Sequence, residues 1–211
     1  MPSDHQITDK IISIPKYLPP DALKLIVTRY KILRLTGLEI DPDAFTSTYA
    51  RERQFSDENW TARAMNPGIF VALFPDLRVP TGIQFDGQVV FPACEENARS
   101  APWELFKDID FQDAAKVDIP VGSRVVYVLV GMYVLPEGRG AGDGRRLVEA
   151  AIGAVDREMR EKGVNATVVV LVARDNLAAK SLYEQVGFIA RGETVDIRGD
   201  QNWALSLEIG E

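Results

Sequence analysis

The sequence predicts an α/β fold built on a mixed sheet, and three observations predict it. Val125 to Val130, VVYVLV, and Val168 to Val172, VVVLV, are apolar at every position, as expected of strands covered on both faces. Between them Leu147, Val148, Ala151, Ile152, Val155 and Met159 fall on one stripe at helical spacing. Strand, helix, strand in that order is a parallel crossover unit, and its hand should be right.

The remaining elements follow in chain order. Lys10 to Pro15, KIISIP, reads as a short strand. Pro19-Pro20 opens a helix with Leu23, Ile26, Tyr30 and Leu33 on one face, and Gly37 is expected to end it. Asp43 to Gln54 is weakly helical. Ser56 has the form of an N-cap, with Asp57 and Glu58 in the first turn, Trp60 inside and Asn66-Pro67-Gly68 as the stop. Ile69 to Phe74 and Gly87 to Phe91 read as strands, and Cys94 to Ser123 is irregular, with Trp103, Phe106 and Phe111 among charges. The crossover helix runs from Gly144 to Lys162. A second helix runs from Asn176 to Val186, with Ala179, Leu182 and Val186 on one face and Gly187 as its stop. Phe188 to Asp196 and Trp203 to Glu208 suggest a closing pair of strands around Gly199-Asp200. Neither a repeat nor a dividing linker is visible. Residues 1–211 are therefore read as a single domain with an irregular insertion at about 94–123.

Composition narrows the chemistry. Net charge is −7, from 24 basic and 31 acidic residues, which argues against nucleic acid or an anionic membrane as partner. Cys94 is the sole cysteine, so no intrachain disulfide forms and a reducing, cytoplasmic setting is expected; its simplest role is that of a small buried hydrophobe. The opening MPSDHQITDK has no apolar core of the kind a secretory signal needs, and no apolar run has bilayer length. His5 is the sole histidine. A histidine base, a histidine metal site and a Cys/His zinc site are all unexpected, and no metal is predicted.

The most informative stretch is VLPEGRGAGDGRRLVEAA, Val134 to Ala151. Gly138, Gly140, Gly142 and Gly144 crowd the turn between a buried strand and a helix. Such a turn reaches backbone conformations closed to other residues and lets a ligand approach without meeting a Cβ. The first amides of a helix lack internal partners and lie at the positive end of its dipole, so turn and helix together suit a phosphate. Arg139, Arg145 and Arg146 add positive charge. The dinucleotide spacing fails, because positions 143 and 145 are Asp and Arg where glycine is required; no Gly-Lys-Ser/Thr of a P-loop occurs either. The alternative is that the glycines serve only tight strand-to-helix packing.

Arg139, Gly142 and Gly144 do fit the pattern R-x-x-G-x-G, and Asn176 to Phe188 reads NLAAKSLYEQVGF. These resemble, in the right order and one strand and helix apart, the coenzyme A-binding motif and the N-x-x-A-x-x-L-Y-x-x-x-G-F element of the GNAT superfamily of N-acetyltransferases. The resemblance covers Val125 to about Glu208 well and Lys10 to Phe91 only by element order. It implies a GNAT-like α/β fold: a central mixed, mostly antiparallel sheet with a parallel βαβ core and flanking helices. It also implies acetyl-coenzyme A as acyl donor. Backbone amides of Arg139, Gly140, Ala141, Gly142, Asp143, Gly144 and Arg145 would hold the pyrophosphate. The strand edge around Met132 and Val134 would bind the pantetheine arm where the two parallel strands part. Asn176 would contact the cofactor, and Tyr183 would stand near the thioester sulfur.

The chemistry so implied is direct attack by a primary amine of a small molecule, with Tyr183 returning a proton to the leaving thiolate and a backbone amide near Val134 polarising the carbonyl. Tyr183 has a plainer alternative as a packing aromatic beside Leu182. The strand Val125 to Val134 has no acidic residue, unlike family members that place one there. Glu52 is the candidate base, because Phe45, Thr48, Tyr49 and Glu52 have the spacing of one helix face and could line the acceptor cleft. Glu52 reads equally well as a solvated surface glutamate. Trp103, Phe106 and Phe111 either cover the acceptor pocket or form a satellite core or dimer contact. A different class of function, an acyl-coenzyme A-binding sensor without turnover, stays open for want of a strand carboxylate. A monomer or homodimer is expected.

Overall fold

The computed structural model describes residues 10–14, 17–45, 47–65, 70–74, 82–91, 124–192, 194–197 and 199–210. The expected 94–123 insertion, with Cys94, Trp103, Phe106 and Phe111, lies outside them, as do His5 and the Asn66-Pro67-Gly68 stop. The strands are β1 (Lys10–Ser13), β2 (Phe70–Phe74), β3 (Gly82–Phe91), β4 (Arg124–Val134), β5 (Asn165–Ala173), β6 (Ile189–Ala190), β7 (Val195–Ile197) and β8 (Asp200–Ile209). They form one sheet in the order β1-β2-β3-β4-β5-β8-β6, with β7 also on β8. β4 and β5 run parallel and the other described pairs are antiparallel. The two all-apolar runs are thus the two central strands, and Val125–Leu129 and Ala166–Val170 are buried throughout.

Between β4 and β5 runs α4 (Asp143–Lys162), closed at Gly163 in the left-handed conformation. Its predicted stripe is buried: Leu147, Val148, Ala151, Val155 and Met159 pack with Val125, Tyr127 and Leu129 of β4 and Ala166, Val168 and Val170 of β5. After β5 comes α5 (Leu177–Val186), capped by Asn176 and closed by Gly187.

A second cluster joins Tyr133 and Leu135 to α1 (Pro20–Ile40) and α3 (Asp57–Ala64) through Val27, Tyr30, Leu33, Trp60 and Ala64. Pro20 starts α1 as expected, and Ser56 with Asn59 forms a full capping box on α3. Gly37 does not end α1. It is helical and buried, and a Cβ there would sit 2.8 Å from Cε1 of Tyr133, so this glycine is a point of close approach between helix and strand.

The reading of Asp43 to Gln54 as one weak helix is corrected as well. The segment holds a 3-10 turn at Pro42–Ala44 and a single helical turn, α2 (Tyr49–Glu52), with Thr48 spent as its N-cap. Phe45 therefore precedes the helix, and the four residues expected on one helix face do not share one.

Glu52 is 1% exposed and lies between two arginines. Arg34 grips it with Nε–Oε2 at 2.9 Å and Nη2–Oε1 at 2.7 Å, and Arg63 Nη1 lies 3.0 Å from Oε2. Burial pushes the carboxyl up, but the Arg34 hydrogen bonds and charge, joined by the Arg63 charge, outweigh it and hold the pKa at about 2. The group is thus an anion fastening α1, α2 and α3 together. Because its pKa is depressed on folding, its contribution is complete above the ordinary value of 4.5 and fades as pH falls toward about 2. Glu52→Gln leaves both arginines without their buried partner and should cost about 3 kcal/mol in denaturant unfolding at pH 7. The difference from the parent protein should shrink between pH 5 and pH 2.

Candidate acyl-donor site

The site begins with one extra residue. Ile83 pairs with Tyr133 and Phe85 with Val130, so two steps on β3 meet three on β4. This is a β-bulge, and Gly131 supplies the positive φ, 67°, that it needs. The insertion reverses the alternation of the strand. Before it, Val125, Tyr127 and Leu129 face α4; after it, Met132 and Val134 do, while Tyr133 and Leu135 turn to α1. Gly131 carries the sequence signal for such a bulge, an isolated glycine inside a strand pattern, though no expectation was attached to it.

At the same place the centre of the sheet opens. Parallel pairing ends at Leu129 with Val170. β4 goes on alongside β3 to Val134, opposite Gly82, and β5 goes on alongside β8 to Ala173, opposite Asn202. Residues 130–134 and 171–173 therefore border a gap rather than each other. The expected parting of the two parallel strands is present.

The glycine turn closes the end of this gap. Leu135 leads into a 3-10 turn at Pro136–Gly138, and Gly140 and Gly142 follow with φ of 81° and 87°. A Cβ at either would meet nothing within 4 Å, so open space lies before both. Gly142 is the N-cap of α4 and brings no side chain to it, which leaves the first amides of the helix without a side-chain cap. Gly144 has a different task. A Cβ there would come 2.9 Å from Leu182 Cδ1, and it faces Met132 and Val134 at 3.9 Å, so it lets α4, α5 and β4 converge. Gly144 thus meets the packing reading of the glycines, while Gly140 and Gly142 leave the space before them open.

Of the expected donor-site residues, Met132, Val134 and Gly144 meet here, and Tyr183 lies in the same cluster. Tyr183 is 4% exposed and stacks edge-to-face on Phe188 at 5.4 Å. Asn176 uses Oδ1 to accept the Ala179 amide at 3.1 Å. Arg145 pairs with Glu149 at 2.7 Å and Arg146 with Asp143 at 3.1 Å, while Arg139 pairs with Asp41. The extra positive charge expected at the turn is thus matched by neighbouring carboxylates.

Of the residues expected at the acceptor cleft, Phe45 reaches β4, its ring 5.0 Å from that of Tyr133, and the Arg34 guanidinium carbon lies 4.4 Å from the centre of the Phe45 ring. Tyr49 is covered by Arg53 at 6.0 Å. Glu52, with both oxygens gripped by arginine, is corrected from an open base to a buried anion. A groove of about 470 Å³ lies elsewhere, between α4 and the far ends of α5 and β8.

Residues 109–190 match the family model for the acetyltransferase (GNAT) domain. That segment, which spans β4, the glycine turn, α4, β5 and α5, is similar to this domain. Solved structures agree in fold. Arabidopsis thaliana NAA60 in complex with acetyl-CoA is 15% identical, with a TM-score of 0.54, over 96% of this chain and 99% of that one. A GNAT-family acetyltransferase from Streptococcus pneumoniae is 16% identical, with a TM-score of 0.56, over 96% and 99%. The ribosomal-protein-S18-alanine N-acetyltransferase from Escherichia coli is 17% identical, with a TM-score of 0.50, over 97% and 96%. No curated protein matches in sequence.

Glycines of the turn and of α4 differ in their response to a methyl group. Gly142→Ala imposes a left-handed conformation on an L-residue and should cost about 1 kcal/mol. Gly153→Ala, inside α4 with only Arg157 Nη1 near at 3.7 Å, should instead stabilise by about 0.5–1 kcal/mol. Urea midpoints of the two variants check the contrast.

Proposed function

We propose that this protein transfers the acetyl group of acetyl-coenzyme A to a primary amine of a small molecule. The observation that carries the reading is the gap between β4 and β5, closed at one end by an uncapped helix start and two left-handed glycines with open space before them. The GNAT match over residues 109–190 supports the same chemistry.

When bound, the donor supplies an activated acetyl thioester. The residues would divide the work as follows. Amides from Gly140 to Arg145 hold the diphosphate, since the nearby guanidinium groups already have carboxylate partners and the Arg139 amide donates to the Pro136 carbonyl at 3.1 Å. The edge of β4 at Met132 and Val134 receives the pantetheine arm as an added strand would. The Val134 amide aims at the carbonyl to be attacked. The Val134 carbonyl is not available for this arm, because it accepts from Arg139 Nε at 3.0 Å. Asn176, its oxygen fixed by the cap, keeps the start of α5 beside the donor. Tyr183 holds a proton at Oη for the departing thiolate. With Glu52 locked as an anion, the proton of the incoming ammonium leaves through water. Phe45, against Tyr133, borders the acceptor side, and Thr48 and Tyr49 shape the segment that follows it.

Thiol release tests the reading. The full chain with acetyl-coenzyme A and a panel of amines, amino acids, polyamines, amino sugars and peptides should release free thiol with at least one small amine. Release only with peptides moves the acceptor to proteins. Binding of acetyl-coenzyme A without release under any acceptor favours a sensor and defeats the enzyme reading. Tyr183→Phe should slow turnover about 100-fold with little change in acetyl-coenzyme A affinity; an unchanged rate removes Tyr183 as the acid.

A further inference from the structure

Arg139 is the first residue of the R-x-x-G-x-G pattern, yet its guanidinium does not face the open space before Gly140 and Gly142. Nε donates to the Val134 carbonyl at 3.0 Å, and Nη2 donates to Asp41 Oδ2. The same oxygen accepts from the Tyr133 hydroxyl at 2.7 Å. The guanidinium carbon lies 5.4 Å from the centre of the Tyr133 ring, within cation–π range. Side chains from β4 beyond its bulge and from the turn, 92 and 98 residues on from Asp41, thus meet on one carboxylate oxygen at the end of α1.

Each partner is placed by something independent. Asp41 is the C-cap of α1 and donates its amide to the Gly37 carbonyl at 2.9 Å. Gly37 brings that last turn of α1 against the Tyr133 ring. Tyr133 faces α1 at all only because the Gly131 bulge reverses the strand. Arg139 closes the 3-10 turn Pro136–Gly138 and immediately precedes Gly140. Fixing its side chain at two points therefore fixes the start of the turn.

We propose that Asp41 is a positioning residue of the donor site: through Arg139 and Tyr133 it holds the turn from 138 to 142 in the shape that presents its amides, and fastens that turn to the end of α1. The proposal rests on the reading above that this turn holds the diphosphate. Preorganisation of this kind raises affinity by removing the cost of ordering the turn on binding. It also links the two substrates, because Phe45 stands on the same Tyr133 ring that Asp41 holds. The rival role, Arg139 as a direct ligand of the diphosphate, predicts the opposite sign. Removing the Asp41 charge would then free Arg139 for the ligand and tighten binding.

The test is titration calorimetry of coenzyme A with the full chain as Asp41→Asn, Arg139→Gln and the double variant, beside amide exchange of residues 138–142 without ligand. Asp41→Asn should weaken binding about tenfold, and the double variant should bind no more weakly than the weaker single, as members of one network do. Exchange in the turn should quicken in both single variants, and the KM for acetyl-coenzyme A should rise by a larger factor than kcat falls. Binding by Asp41→Asn at or above the parent affinity, or losses that simply add, overturns the proposal. Tyr133→Phe leaves the Asp41–Arg139 pair in place and removes one donor. It should quicken exchange measurably but less than Asp41→Asn, and unchanged exchange there counts against the network even if Asp41→Asn fails to fold. Should the parent chain bind no coenzyme A, the donor reading falls, and the exchange rates alone decide whether Asp41 shapes the turn.

Discussion

One extra residue in β4 governs most of what the site depends on. A central strand with an uninterrupted ladder on both sides would pair with β5 along its whole length and keep one set of side chains toward α4. The bulge at Gly131 prevents both. Beyond it β4 follows β3 and leaves β5, which follows β8. The ladder bonds forgone there are each worth on the order of 1 kcal/mol net. The interior of an eight-stranded sheet is a poor place to give them up, unless the exposed edge serves another partner. On the proposed reading, an extended ligand chain laid in the gap would restore that pairing.

The reversed alternation has a second consequence. It hands Tyr133 to the helices that pack on the opposite face from α4, where Gly37 makes room for its ring and Asp41 takes its hydroxyl proton in a hydrogen bond. Burial, together with the Asp41 carboxylate, holds the Tyr133 hydroxyl at about 12. It therefore stays protonated and remains a donor across the whole working range of pH. The gap between strands and the anchoring of the turn are two results of one backbone irregularity.

The parts legible in the sequence were those written in local period. The stripe of α4 and the capped α5 fall within a residue of where spacing places them, and the apolar runs mark β4 and β5, which extend up to four residues beyond them, because each is a local pattern that packing then reinforces. The closing strands were legible as one pair; β8 in fact serves two short partners, β6 and β7. Asp43 to Gln54 departs from its reading as one helix for the opposite reason. Phe45, Thr48, Tyr49 and Glu52 have helical spacing, but Pro42 and the Thr48 cap break the segment into two short turns. Glu52 then answers to Arg34 and Arg63, and Asp41 to Arg139, partners that no local window contains.

The charge arrangement around the turn bears on how it can hold an anion. In a chain of net charge −7, three arginines at the turn looked like the attraction for a diphosphate. Each is already answered: Arg139 by Asp41, Arg145 by Glu149 and Arg146 by Asp143. The Arg145–Glu149 pair is about half exposed on both sides, so it is weak and easily exchanged, whereas Asp143 is largely buried at the first turn of the helix. Backbone amides carry no counterions and need no partner removed before they bind. Their orientation is set by φ at Gly140 and Gly142, not by a side-chain rotamer. On the proposed reading of this turn as the diphosphate site, recognition there depends on backbone shape first and charge second.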